Sequence, residues 1–98
     1  MKGDTMTRIK IKDLEFLVDN LNIITGNNTK PFNRSNGKRI ASIGTYYIDG
    51  AYGGHKLVQI ATEGGGINEI TYGFDTKKDL HDKITNYLKG IQLGKEIA

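Results

Sequence analysis

The sequence predicts a single α+β domain in the order α-β-β-β-α, a three-stranded antiparallel sheet with both helices packed on one face. Three observations lead there. Leu14, Leu17, Val18, Leu21 and Ile24 recur at helical spacing, and Leu80, Ile84, Tyr87, Leu88 and Ile91 do so again near the C-terminus. Between these stripes, from Ile40 onward, the apolar period changes to two, as in strands. The strand-like runs are joined by short glycine-rich connections, which favour an antiparallel meander. Two helices that each need to bury one stripe then form a layer on that sheet.

Residues 1–10 are polar and aperiodic, so the ordered core is expected over about residues 11–92 of a single domain spanning 1–98. Asp13 is a good N-cap for a helix over about residues 13–25, with Glu15, Asp19, Asn20 and Asn22 on its polar side and Gly26 at its end. Asn27 to Lys38 reads as a polar loop pinned by Phe32. Its Asn36-Gly37 pair is a turn signal that fits an excursion or a short hairpin before the sheet. The strands are expected over 40–49, 55–61 and 67–74. In the second, His55, Leu57, Gln59 and Ala61 share one face and Lys56, Val58 and Ile60 the other; in the third, Ile70, Tyr72 and Phe74 oppose Ile67, Glu69 and Thr71. Only one face is richly apolar, so the other is predicted to be open to solvent or to a partner. Thr76-Lys77-Lys78-Asp79 opens the last helix as a capping-box variant, and Gly90-Ile91 reads as its Schellman end, with a loose tail to Ala98.

Composition bounds the function classes. Ninety-eight residues with 37% hydrophobic and 26% charged side chains make one soluble globular domain with a modest core. The absence of cysteine removes disulfides, thiolate nucleophiles and cysteine metal sites, and suits a reducing compartment. No secretory leader or stretch of about 20 apolar residues is present, so the expectation is a cytoplasmic protein without a membrane association. Net charge is only +3, but Lys30, Arg34, Lys38 and Arg39 fall in ten residues that contain no acid.

Catalysis finds little support. His55 and His81 are the only imidazoles, and neither has a nucleophile and orienting group at a recognisable spacing. Asp49, Glu63, Glu69 and Asp75 lie at strand ends and could loosely converge on a metal, but no local signature accompanies them. Gly64-Gly65-Gly66 is followed by a strand, whereas a phosphate loop needs a helix N-terminus next, so the glycines read as a hairpin connection. We therefore expect no enzyme, no catalytic residues, no metal and no cofactor.

The segment Gly44-Thr45-Tyr46-Tyr47-Ile48-Asp49-Gly50-Ala51-Tyr52-Gly53-Gly54-His55-Lys56-Leu57, followed by Glu63-Gly64-Gly65-Gly66-Ile67, resembles a group of small proteins of phages, prophages and other mobile elements. They share a Gly-x-Tyr-x-Ile-x-Gly-Ala-Tyr-Gly-Gly core, then Tyr or His, and a Glu-Gly-Gly-Gly turn. Thr25-Gly26 and Gly90-Ile91 match their helix ends, and the likeness covers about residues 13–93. The resemblance implies a mobile-element accessory protein in the host cytoplasm that acts by binding. The element order is also that of double-stranded-RNA-binding domains, whose second-helix lysine pattern this chain lacks.

Two readings follow. In the first, Lys30, Arg34, Lys38, Arg39, Lys56, Lys77 and Lys78 track a phosphate backbone and an exposed tyrosine stacks on a base. In the second, Tyr46, Tyr52 and His55 form the contact surface of a protein-binding inhibitor directed at a host factor or defence complex, for instance a nucleic-acid-targeting nuclease. Whether the sheet edges also pair into a homodimer is left open.

Overall fold

The computed structural model describes residues 8–97, and the first apolar stripe forms α1, Ile11–Thr25. This helix starts earlier than Asp13. Asp13 takes the third helical position instead, and its Oδ2 accepts the Lys10 N–H at 2.8 Å, half of a capping box. Gly26, at φ 77, turns left-handed and ends the helix, as the sequence predicts; the Asn27 N–H then donates to the Asn22 carbonyl at 2.8 Å.

The polar loop is a hairpin with a sheet of its own. β1, Phe32–Ser35, pairs antiparallel with β2, Lys38–Ala41, across Asn36 (φ 52) and Gly37 (φ 79). Positive φ at both central residues is the type I′ geometry that matches the strand twist, and Asn-Gly is the pair that adopts it most readily. Ile40 therefore belongs to this ribbon and not to the main sheet. The strand expected over 40–49 is broken because Gly44 sits at φ 94, where the chain bends and its N–H reaches the Ile60 carbonyl at 2.8 Å.

The main sheet has the order β3 (Tyr46–Ala51), β4 (Gly54–Ile60), β5 (Ile67–Glu69), all antiparallel. A second left-handed pair, Tyr52 (φ 54) and Gly53 (φ 74), joins β3 to β4. The fold is thus α+β with two helices and two antiparallel sheets, so the single three-stranded sheet predicted from the sequence is corrected. The third strand is also shorter than predicted. The Thr71 Oγ1 accepts the Leu57 N–H at 3.0 Å where a backbone carbonyl would continue the ladder, and the chain detours to a lone bridge between His55 and Asp75.

Last comes α2, Lys77–Ile97, with the Asp79 N–H donating to Thr76 Oγ1 at 3.2 Å, the forward half of the expected capping box. The helix does not stop at Gly90. That glycine has no left-handed φ, and continuing the helix half-buries Ile91 against the core and lets Lys95 Nζ donate to the Ile24 carbonyl at the end of α1. The loose tail expected after Gly90 is thereby corrected; Ala98 and, of the loose N-terminal stretch, residues 1–7 lie outside the described residues.

Leu14, Val18 and Leu21 of α1, Leu80, Ile84 and Leu88 of α2, and Tyr46 and Leu57 of the sheet form one buried cluster, so both helices do lie on one face. Each such aliphatic side chain contributes about 1.5–3 kcal/mol by leaving water. The opposite face is not open. Val58 and Ile60 are fully buried there, with Phe32 of the ribbon edge-on to Tyr47 at 6.2 Å and Phe74 of the detour beneath Lys56. Asn22, expected on the polar side of α1, is also fully buried. Its Oδ1 accepts the Tyr46 N–H at 2.8 Å and its Nδ2 donates to the Tyr46 carbonyl at 3.0 Å, so one carboxamide stands in for a neighbouring strand.

Candidate functional site

The ribbon concentrates charge because its register does. Arg34 faces Arg39 across the two strands, on the side that carries Phe32 and Ala41, while Lys38 faces Ser35 on the other side. The Arg39 guanidinium lies 3.9 Å from the centre of the Phe32 ring, a cation–π contact that fixes the plane of its fork. No carboxylate occurs between Asp19 and Asp49, and the three ion pairs among the described residues leave Lys30, Arg34, Lys38 and Arg39 out. All four are exposed. Two like charges opposite one another on a strand pair repel, an arrangement that a polyanion relieves. At the root of the ribbon a cleft of about 260 Å³ lies between Phe32 and Arg39 on one side and Glu63, Gly64 and Gly65 on the other.

The remaining predicted cations lie elsewhere. Lys56 is on β4, its side chain only 11% exposed, with Nζ 2.9 Å from Glu69 Oε1 and 4.6 Å above the Phe74 ring. The Lys56 hydrogen bond and charge hold the Glu69 carboxyl below its ordinary value. Lys56 is therefore consumed inside the fold and does not present itself to a phosphate. Lys77 and Lys78 sit at the other end of β4, beyond the His55–Asp75 bridge, and Lys78 pairs with Asp82 at 3.2 Å. Of the seven cations predicted from the sequence, the structure sets Arg34, Lys38 and Arg39 on the ribbon, Arg34 and Arg39 facing each other, with Lys30 two residues before its first strand.

The predicted protein-contact residues separate in the same way. Tyr46 is buried, its hydroxyl 3.1 Å from that of Tyr87, and burial followed by that bond pushes its ionisation well above the ordinary tyrosine range. It packs the core and cannot be a contact residue. His55 is half-buried against Gly50, with a buried Nδ1 that has no hydrogen-bond partner. Tyr52 stands 95% exposed on the β3–β4 turn, edge-on to Phe74 at 5.5 Å.

Two residues escaped the sequence reading. Tyr72, which the alternation places on a strand face, stands 84% exposed in the detour after β5. Asn22 could have been found, because it falls four residues after Val18 and eight after Leu14, inside the apolar arc of α1. Asp49, Glu63, Glu69 and Asp75 do not converge: Glu69 pairs with Lys56, Asp75 with Lys83 at 2.9 Å, and Glu63 lines the ribbon cleft. Among the described residues no group of three or more His, Asp or Glu gathers in metal-binding range, and no helix is long and apolar enough to cross a membrane. The Gly64–Gly66 connection is a closed hairpin turn, with the Ala61 N–H donating to the Gly66 carbonyl at 2.7 Å and the Gly66 N–H to Thr62 Oγ1 at 2.9 Å. Neither protein-family models, nor curated proteins, nor solved structures match this chain.

Proposed function

We propose that this protein is a non-enzymatic binding protein that holds nucleic acid through the β1–β2 ribbon. The observation that carries the reading is the facing Arg34–Arg39 pair on an exposed ribbon that enters no ion pair among the described residues. A two-stranded ribbon is one of the elements that a duplex major groove admits, and arginine forks match both phosphates and guanine edges. The stacking of Arg39 on Phe32 lowers the entropy lost on ordering that fork. Tyr46 and Lys56 drop out of the binding set, and Lys77 and Lys78 become a separate, weaker patch. Alongside the resemblance to mobile-element proteins, this reading describes an accessory protein acting in a host cytoplasm.

Fluorescence anisotropy with labelled single- and double-stranded DNA and RNA at two salt concentrations tests it. Four phosphate contacts predict a slope of about −3 to −4 in log K against log salt. Arg34→Glu with Arg39→Glu should abolish binding, and Lys77→Glu with Lys78→Glu should weaken it far less. Absence of salt-sensitive binding at low ionic strength sinks the proposal.

A second reading, a protein-binding inhibitor of a host or defence factor, is favoured by Tyr52 and Tyr72, two exposed aromatics at the end of the sheet away from the ribbon. Under it, Tyr52→Ala removes partner capture while the ribbon variants retain it.

A further inference from the structure

Among the described residues β3 is an edge strand, and its hydrogen-bonding directions follow from those of β4. His55 exchanges both backbone bonds with Asp75, and the Leu57 carbonyl accepts from Ile70, so the odd-numbered residues of β4 bond on the β5 side. The even-numbered residues then bond to β3, and the register gives those bonds to Tyr47, Asp49 and Ala51. The amides of Tyr46, Ile48 and Gly50 point away from the sheet. Asn22 satisfies those of Tyr46, whereas among the described residues neither Ile48 nor Gly50 has a backbone or side-chain partner outside the sheet.

A cleft of about 270 Å³ runs along this edge, walled by Glu15 and Asp19 of α1 on one side and by Thr29, Pro31 and Tyr47 on the other. Glu15 and Asp19 are exposed, one helical turn apart, and neither enters an ion pair of the described residues. Like charges at this spacing repel. The wall is thus negative beside an unpaired strand edge, on a chain whose net charge is positive.

We propose that the Ile48–Gly50 edge of β3 is a docking site for an extended basic segment of a partner protein, which adds to the sheet as a further strand. Main-chain bonds to Ile48 and Gly50 hold the segment about 4.8 Å from β3. Alternate side chains turn toward α1, where Lys or Arg meets Glu15 and Asp19. The others turn toward Pro31 and Tyr47, where short apolar groups fit. The cleft adjoins the root of the basic ribbon at Thr29 and Pro31, but the proposal does not depend on nucleic-acid binding.

The test is an NMR titration of the ¹⁵N-labelled full chain with three synthetic hexapeptides: alternating Lys and Val, alternating Glu and Val, and the Lys/Val peptide N-methylated at alternate amides. Saturable binding of the first, with amide shifts centred on Ile48 and Gly50, is expected. The N-methylated peptide should not bind, because it cannot pair with a strand. Glu15→Lys with Asp19→Lys should weaken the Lys/Val peptide by about tenfold or more. Both positions are exposed, so the fold is retained. The same charge change at Asp79 and Asp82 on α2 should alter binding less than about twofold. Equal binding of the Glu/Val peptide, shifts centred on the ribbon or Tyr52, or no shift at millimolar peptide each overturn the proposal. So does sedimentation showing that a second copy already occupies the edge.

Discussion

Replacing Asn22 with Leu asks how much a single carboxamide contributes to joining α1 to the sheet. Leu has the same number and branching of side-chain heavy atoms, so the change leaves no cavity; its bulkier methyls add some overpacking to the polar loss. It removes the bonds at 2.8 and 3.0 Å and leaves the N–H and carbonyl of Tyr46 without partners in a site closed to water. Each buried orphan costs about 1–3 kcal/mol, so the loss should be about 3–5 kcal/mol. A domain of this size has about 5–15 kcal/mol in all, which puts the variant close to unfolding. With a urea m-value of about 1–1.5 kcal/mol/M, the midpoint should fall by about 2–5 M. Asn22→Asp keeps the acceptor for the Tyr46 N–H but buries a charge against the Tyr46 carbonyl. Burial raises its folded pKa, so the penalty is absent below the ordinary aspartate value near 4 and grows as pH rises above it. Equilibrium unfolding in urea, with hydrogen exchange at the Tyr46 amide, measures both. An Asn22→Leu variant within about 1 kcal/mol of the parent, with the Tyr46 amide still protected, would refute the strand-mimic role.

Gly90→Ala should raise stability by about 0.5–1 kcal/mol, because the glycine is mid-helix with open space around its Cα, and thermal unfolding would show the opposite sign if the helix ended there. Stability should fall on the alkaline side: the Tyr46 hydroxyl is held above its ordinary value near 10, so the unfolded chain ionises first and the contribution, intact below about pH 10, is lost above it. Tyr46→Phe should flatten that limb in urea midpoints measured against pH. Stability should fall on the acid side through Glu69, whose lowered pKa makes its contribution present above the ordinary glutamate value and lost as pH drops through the folded one; Glu69→Gln should remove this dependence.

The helices were legible because each has one apolar stripe facing one core, and period is a local property of the chain. The Asn36-Gly37 hairpin was legible for the same reason, since turn chemistry belongs to two adjacent residues. Its separation from the main sheet was not. Alternation runs unbroken from Ile40 past Gly44, and only the left-handed φ of Gly44 shows where one sheet ends and the other begins. Gly90 carries the composition of a helix end, but the feature that extends α2 is the C-terminus of α1, a partner distant in sequence. The site divides along the same line. Arg34, Lys38 and Arg39 stay together because they are neighbours on one hairpin. Lys56 was drawn into the grouping by its charge, yet its fate was set by Glu69 on the adjacent strand, and Lys77–Lys78 by the length of β4. Tyr46 looked like a recognition tyrosine until Tyr87, on the last helix, closed over it.

The ribbon makes a sheet of its own and is tied to the body near its root by the Ala41 N–H to the Glu63 carbonyl at 3.3 Å and by the ring of Phe32 edge-on to Tyr47. Its length is consequently a free variable. Residues added or removed in facing pairs on either side of Asn36-Gly37 would change how far the arm reaches while leaving the buried cluster untouched. The β3–β4 and β4–β5 hairpins have less latitude, since the strands they join carry the buried Tyr46, Leu57, Val58 and Ile60. Variation in span, and the grafting of a foreign recognition sequence, should therefore be concentrated at this one arm.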